Sequence, residues 1–216
     1  MEDIIQIIAI YAIPVIFSLT LKEAAIGYAA AHLGDPTPKL NGRLSLNPSK
    51  HLDWMGTAIV PMVTLALVKG LGGGLLFGWA KPMPFDPRSF RNPRKALISV
   101  IAAGLGAYFA MAMCWALLER AMTAFGVSER FFFLMAQAGI SFNIMLLAIS
   151  LLPIPPLDGG RLLVLLLPRD MGMALARVEP YGGFIVLALL ATQIIGPILF
   201  PIYGLGIGLV NFISGN

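Results

Sequence analysis

Charge is scarce in this sequence. Only 12% of its 216 residues are Asp, Glu, Lys or Arg, while 58% are hydrophobic. Soluble domains carry about 25% charged residues, so a water-soluble globular domain is excluded and a polytopic membrane protein remains. Cysteine is almost absent. The single Cys114 rules out an internal disulfide, and its place in an apolar run reads as a small buried hydrophobe. The chain also lacks the basic start and small-residue cleavage site of a signal peptide; it begins with the acidic Glu2-Asp3, so the first apolar segment is expected to stay as a membrane helix. The net charge of +4 does not point to nucleic acid, because the basic residues sit between apolar segments, as cytosolic loops do.

Four long apolar stretches are present, at 4–33, 96–118, 130–152 and 181–213. A fifth, 54–80, is shorter than it looks. Its helix-compatible part, 55–68, spans roughly 21 Å at about 1.5 Å per residue, against the roughly 30 Å of a bilayer core. Lys69-Gly70-Leu71-Gly72-Gly73-Gly74 then favours no helix. The reading is a re-entrant segment that enters and leaves on one side. The loops 34–53, 81–95 and 159–180 hold Lys39, Arg43 and Lys50, then Lys81, Arg88, Arg91, Arg94 and Lys95, then Arg161, Arg169 and Arg177. The positive-inside rule places all three on the cytoplasmic face, with the N-terminus and the 119–129 connection outside. Gly196-Pro197 and Pro201 interrupt the last stretch, leaving one or two segments and the side of the C-terminus open.

One pentapeptide, Lys22-Glu23-Ala24-Ala25-Ile26, has the spacing of a zinc-hydrolase helix. Such a site sets two imidazoles one turn apart with a glutamate beside the first, which activates the metal-bound water. Here Glu23 is in place, but Lys22 and Ile26 hold the two imidazole positions. A carboxylate stands in Leu152-Pro153-Ile154-Pro155-Pro156-Leu157-Asp158-Gly159-Gly160-Arg161. Prolines and glycines there end the helix and set Asp158 at the cytoplasmic end of a span, where an acid in an apolar setting is a functional candidate. Glu23 and Asp158 therefore lie on the same side of the membrane.

On these motifs the chain resembles the site-2 proteases, the peptidase family M50 of intramembrane zinc metalloproteases. Leu33-Gly34-Asp35-Pro36-Thr37, Gly42-Arg43-Leu44-Ser45-Leu46-Asn47-Pro48, His51-Leu52-Asp53, Phe77-Gly78-Trp79-Ala80-Lys81-Pro82, Arg91-Asn92-Pro93-Arg94 and Pro153 to Arg161 occur in the family's order. The resemblance implies an all-α, polytopic, site-2 protease-like core, one membrane-embedded domain over residues 1–216, in which the first long helix faces the Asp158 segment. It implies Glu23 as the base position, Asp158 as the retained metal ligand, and Asn143, Pro153 and Pro155 as substrate-handling positions. The departures are equally specific. Besides Lys22 and Ile26, Leu105 and Tyr108 replace a proline and an asparagine of the family, and Ser150 replaces another asparagine.

Isoleucine offers no donor, and an ammonium must lose a proton before it can bind zinc. A protonated Lys22 instead supplies the missing positive charge and is expected to pair with Asp158 or Glu23, since an uncompensated buried carboxylate is costly. His32 lies roughly 80° off the Lys22 face at about 100° per residue and reads as a surface residue. His51 reads as a structural hydrogen-bonding residue and is also the best substitute metal ligand. Asp158 before two glycines is alternatively a helix cap. Trp54, Trp79 and Trp115 read as interface anchors or packing.

The leading expectation is a catalytically impaired homologue in a bacterial inner membrane, without a cofactor, that binds a transmembrane helix of a client or protease partner. The alternative is an active zinc endopeptidase that cleaves membrane helices, with Glu23 as base and Asp158 and His51 as ligands. A small transporter lacks the inverted repeat that alternating access uses.

Overall fold

The computed structural model describes residues 2–60, 62–63, 78–192 and 194–215. Among them the regular elements are helical. They are α1 (Glu2–His32), α2 (Thr37–Leu40), α3 (Pro93–Ala124), α4 (Arg130–Ser150), α5 (Asp158–Leu166), α6 (Arg169–Ala176), α7 (Glu179–Ala191) and α8 (Gly196–Ser214). Short 3-10 turns at Pro48–Lys50 and Pro87–Ser89 and a π-helical turn at Trp54–Ile59 punctuate the connections. The turn expected within 54–80 lies outside the described residues. Its two ends meet: Trp79 N donates to the Gly56 carbonyl at 2.9 Å, and Thr57 Oγ1 donates to the Trp79 carbonyl at 2.9 Å.

Ile5–His32, Pro93–Ala124, Arg130–Ser150 and Gly196–Ser214 are long and apolar enough to cross a bilayer. The protein is thus an all-α, polytopic membrane protein. Asn92 starts α3 by accepting from Lys95 N, with Pro93 behind it in the first turn, where a missing N–H costs nothing. Inside α1, the buried Ser18 and Thr20 hydroxyls donate to the Pro14 and Ile16 carbonyls at 2.6 Å, so neither is left unpaired at membrane depth.

α1, α3 and α4 pack on one another, and α8 lies against α3 and α4. Lipid tails are as apolar as leucine, so close fit rather than hydrophobicity holds such helices together. Small residues provide that fit: Ala112, Ala116, Ala136 and Ala148 are wholly buried, and the Trp115 ring covers Gly139 so closely that a side chain there would collide with it.

The three basic loops gather at one end, as the charge pattern predicts. Lys81 N donates to the His51 carbonyl at 2.9 Å, Asp86 N to Asp35 at 2.7 Å, and Arg94 to the Leu166 carbonyl at 3.3 Å. The final apolar stretch holds two helices, α7 and α8, and Pro201 sits inside α8 without ending it. Ile195 and Leu199 pack on Ile149 and Leu152, Val210 packs among Ala112, Ala116 and Ile140, and Arg120 donates to the Ser214 carbonyl. α8 therefore runs parallel to α3 and finishes beside the 119–129 connection, at the end of the bundle opposite the basic loops.

Cys114 is exposed on α3, not buried in protein. An apolar run in a membrane span does not mark the inside, because the lipid-facing surface is apolar too.

Candidate functional site

Lys22 and Ile26 lie one turn apart on the α1 face that meets α3. The approach is close: a side-chain carbon on Gly104 would stand 3.1 Å from both Ile26 Cδ1 and Lys22 Cε. Lys22 Nζ sits 3.1 Å from Asp158 Oδ2 and 3.7 Å from Glu23 Oε1, and 5.9 Å from the centre of the Tyr108 ring, within reach of a cation–π contact. Tyr108 lies near Ser150 at the end of α4. The ion pair anticipated from the sequence is formed. Lys22, Ile26 and Tyr108, three of the positions expected to depart from the family pattern, thus gather around one another and beside Asp158.

Asp158 is held by a tight loop. It opens α5, and Gly159 and Gly160 lie against the backbone of Leu151, Leu152, Ile154 and Pro155 so closely that any side chain at either would collide. The peptide bond between Pro155 and Pro156 is cis. The Asp158 side chain does not cap its helix; it turns to Lys22, while the N-terminal end of α5 favours its negative charge.

Glu23 points elsewhere. Its Oε2 accepts from Met83 N at 2.6 Å, and the Met83 side chain packs over Gly27. The extended segment 78–86 is thereby strapped across α1. Arg43 fastens it from the other side, donating to the Pro82 carbonyl at 2.5 Å and the Lys81 carbonyl at 2.7 Å. His51 is wholly buried beneath. Its Nε2 lies 2.7 Å from the Ser45 carbonyl and its Nδ1 3.3 Å from Arg43; carbonyls accept and guanidinium donates, so Nε2 carries the proton. Both ring nitrogens are engaged, and His51 serves as the structural joint rather than as a ligand beside Asp158. Burial in particular, and also the neighbouring Arg43 charge, push its pKa down from the usual imidazole value.

Two buried charges were not singled out from the sequence. Burial pushes the Asp35 carboxyl up, but hydrogen bonds from Thr37, Asp86 N and Ser89 outweigh it and hold the group below the usual carboxylate range. Arg43 reads from sequence as one more cytoplasmic charge; it is 8% exposed and organises two loops. The only signal for either was its place in a motif of the loop.

Of the other expected positions, Pro155 is buried near Asp158, and Pro153 is exposed. Asn143 is wholly buried seven residues before Ser150 on α4, donating to the Gly139 carbonyl at 2.8 Å, with Oδ1 left without a partner. Among the described residues, no three His, Cys, Asp or Glu side chains gather to hold a metal. The donor set at Asp158 does not fit zinc: its neighbours are an ammonium, a hydrocarbon and a carboxylate already accepting from Met83 N.

An open cavity of about 390 Å³ adjoins this cluster. Its walls include Ile26, Leu97, Val100, Ile101 and Leu165, with Asp158 on one side and Arg161 and Glu179 among its lining; those last two pair at 3.2 Å.

The chain is 35% identical over 203 residues to "Putative zinc metalloprotease YwhC" of Bacillus subtilis (strain 168), a match covering 90% of this chain and 85% of the relative. No family model and no solved structure matches it.

Proposed function

This chain belongs to the zinc-metalloprotease family of its Bacillus subtilis relative, and from that premise we propose that it is a site-2 protease-like membrane protein whose catalytic centre is lost. It acts from a bacterial inner membrane as one domain over residues 1–216, and it binds a transmembrane segment of a client or protease partner without cutting it. The observation that carries this reading is the Lys22 ammonium 3.1 Å from Asp158, where metalloprotease chemistry calls for an imidazole. Glu23, at the base position, has its carboxylate bound to the Met83 amide instead of facing a water to activate. The ammonium neutralises Asp158, so the site stays folded and charge-balanced without a metal.

The relative's name favours a second reading, an active zinc endopeptidase with Glu23 as base and Asp158 and His51 as ligands. The test is to expose the detergent-purified protein to excess zinc, desalt it, measure metal by mass spectrometry, and then present a labelled transmembrane peptide. The expected outcome is no retained zinc and capture of an intact peptide. Stoichiometric zinc lost on Asp158→Ala, with peptide cleavage abolished by Glu23→Gln, establishes the second reading instead.

A further inference from the structure

Away from Lys22 and Asp158, the molecule carries a second set of polar side chains. Gln137 and Ser141, one turn apart on α4, line two neighbouring cavities in common. Tyr11 of α1 lines one of them; Tyr203 and Asn211 of α8 line the other, with Glu119 of α3. Gln137 Nε2 donates to Glu119 Oε1 at 2.9 Å, which ties α3 to α4 at the end of the bundle opposite the basic loops. Gln137 is exposed, and Ser141, Tyr11 and Tyr203 are half-exposed. The groove thus opens sideways rather than into the core.

Depth decides what can fill it. Ser141 falls midway along the 21-residue α4, and Tyr203 near the middle of the 19-residue α8. Helices of about 20 residues just cross the roughly 30 Å hydrocarbon core, so both hydroxyls stand close to the bilayer midplane. Other hydroxyls on the apolar helices are satisfied at home: Ser18, Thr20 and Thr192 each donate to a carbonyl one turn back. No hydrogen bond among the described residues engages the side chains of Ser141, Tyr11 or Tyr203. Lipid tails offer such groups nothing, and the headgroups begin roughly 15 Å away. A guest that pairs with them must carry donors or acceptors to the middle of the membrane. Transmembrane helices do so when they hold Ser, Thr, Asn or Gln, whose side chains bond across helix interfaces.

We propose that this groove between α1, α4 and α8 is where a client helix docks, and that it selects helices with an amide or hydroxyl side chain near mid-membrane. Such docking rests on the client-binding function proposed above and gives the client its chemistry.

The test places the full chain, labelled with a fluorescent donor, in phosphatidylcholine vesicles with acceptor-labelled transmembrane peptides. Two peptides are compared, an all-leucine span and the same span with one central Asn. Energy transfer is expected to show the Asn peptide binding roughly threefold tighter or more, the effect of one hydrogen bond between membrane helices. Ser141→Ala with Tyr203→Phe removes only two hydroxyl groups, and is expected to abolish that difference while the all-leucine peptide binds as before. Gln137→Leu, paired with a peptide whose Asn lies one turn nearer the membrane surface, serves if the double variant fails to fold. Equal binding of the two peptides to the unaltered protein overturns the proposal and leaves client capture standing. A preference that persists in the variants does the same. A chain that is dimeric in the vesicles and becomes monomeric on Ser141→Ala with Tyr203→Phe assigns the groove to a second copy, and so overturns it too. Capture of neither peptide fails the client-binding function, and the docking site with it.

Discussion

Lysine at position 22 and aspartate at position 158 come from segments 136 residues apart in sequence, so their contact ties the start of α5 to α1. Both side chains are mostly buried, at 15% and 11% exposed. Removing one partner of such a pair leaves an uncompensated charge and costs about 3–5 kcal/mol, while removing both costs far less. Lys22→Ala is therefore expected to destabilise the protein by about that amount, and Lys22→Ala with Asp158→Asn to recover most of the loss, measured by thermal unfolding in detergent. The pairing was legible in the sequence, because one motif fixed Lys22 on a helix and another set an acid at the same membrane face. The Tyr108 contact was not. Position 108 registered only as a departure from a family pattern, and its nearness to Ser150 comes from the packing of α3 on α4.

At the scale of elements, the strap 78–86 and the loop around His51 behave as one unit, joined through Arg43. Arg43→Ala strips hydrogen bonds from two part-buried carbonyls, Lys81 and Pro82, at about 1 kcal/mol each. Limited proteolysis is expected to cut 81–95 faster in that variant while the transmembrane helices stay intact. The same joint confers a pH dependence. His51 titrates lower in the folded protein than in the unfolded chain, so the unfolded state takes up the proton first. Its contribution is complete above the unfolded value of about 6.5 and is lost as pH falls toward the folded value. Asp35 also titrates lower when folded, and its contribution disappears further into acid, as pH falls below about 3.9 and through the folded value. Melting temperature in detergent should therefore decline in two stages on acidification, and His51→Gln should flatten the first. Sequence placed both residues in loop motifs but gave no hint of burial, because a charged residue in a basic loop reads as solvated.

For the whole molecule, the positions expected to depart from the family pattern are spread over α1, α3 and α4, and that distribution yields a prediction. Lys22→His with Ile26→His returns two imidazoles at helical spacing opposite Asp158, a donor set that zinc accepts. The double variant is expected to retain zinc by mass spectrometry. It is not expected to cleave a transmembrane peptide, because Tyr108 and Ser150 still occupy the positions where the resemblance leads one to expect asparagines, and Met83 N still holds Glu23. Cleavage by that variant would show that the two imidazoles alone separate this chain from an active enzyme.

By itself the sequence determined the membrane setting, the four long spans, the common face of the three basic loops, and the meeting of Lys22 with Asp158. These follow from local patterns: apolar length, charge between runs, and one helical turn of spacing. Only the tertiary structure decided that Cys114 faces outward, that Arg43 and Asp35 are buried, that Met83 holds Glu23, and that α8 ends beside the 119–129 connection. In a bilayer the lipid-facing and protein-facing sides of a helix are both apolar, so the direction a residue faces is set by which neighbour packs there. That information belongs to the contacts between helices and is absent from the order of residues along any one of them.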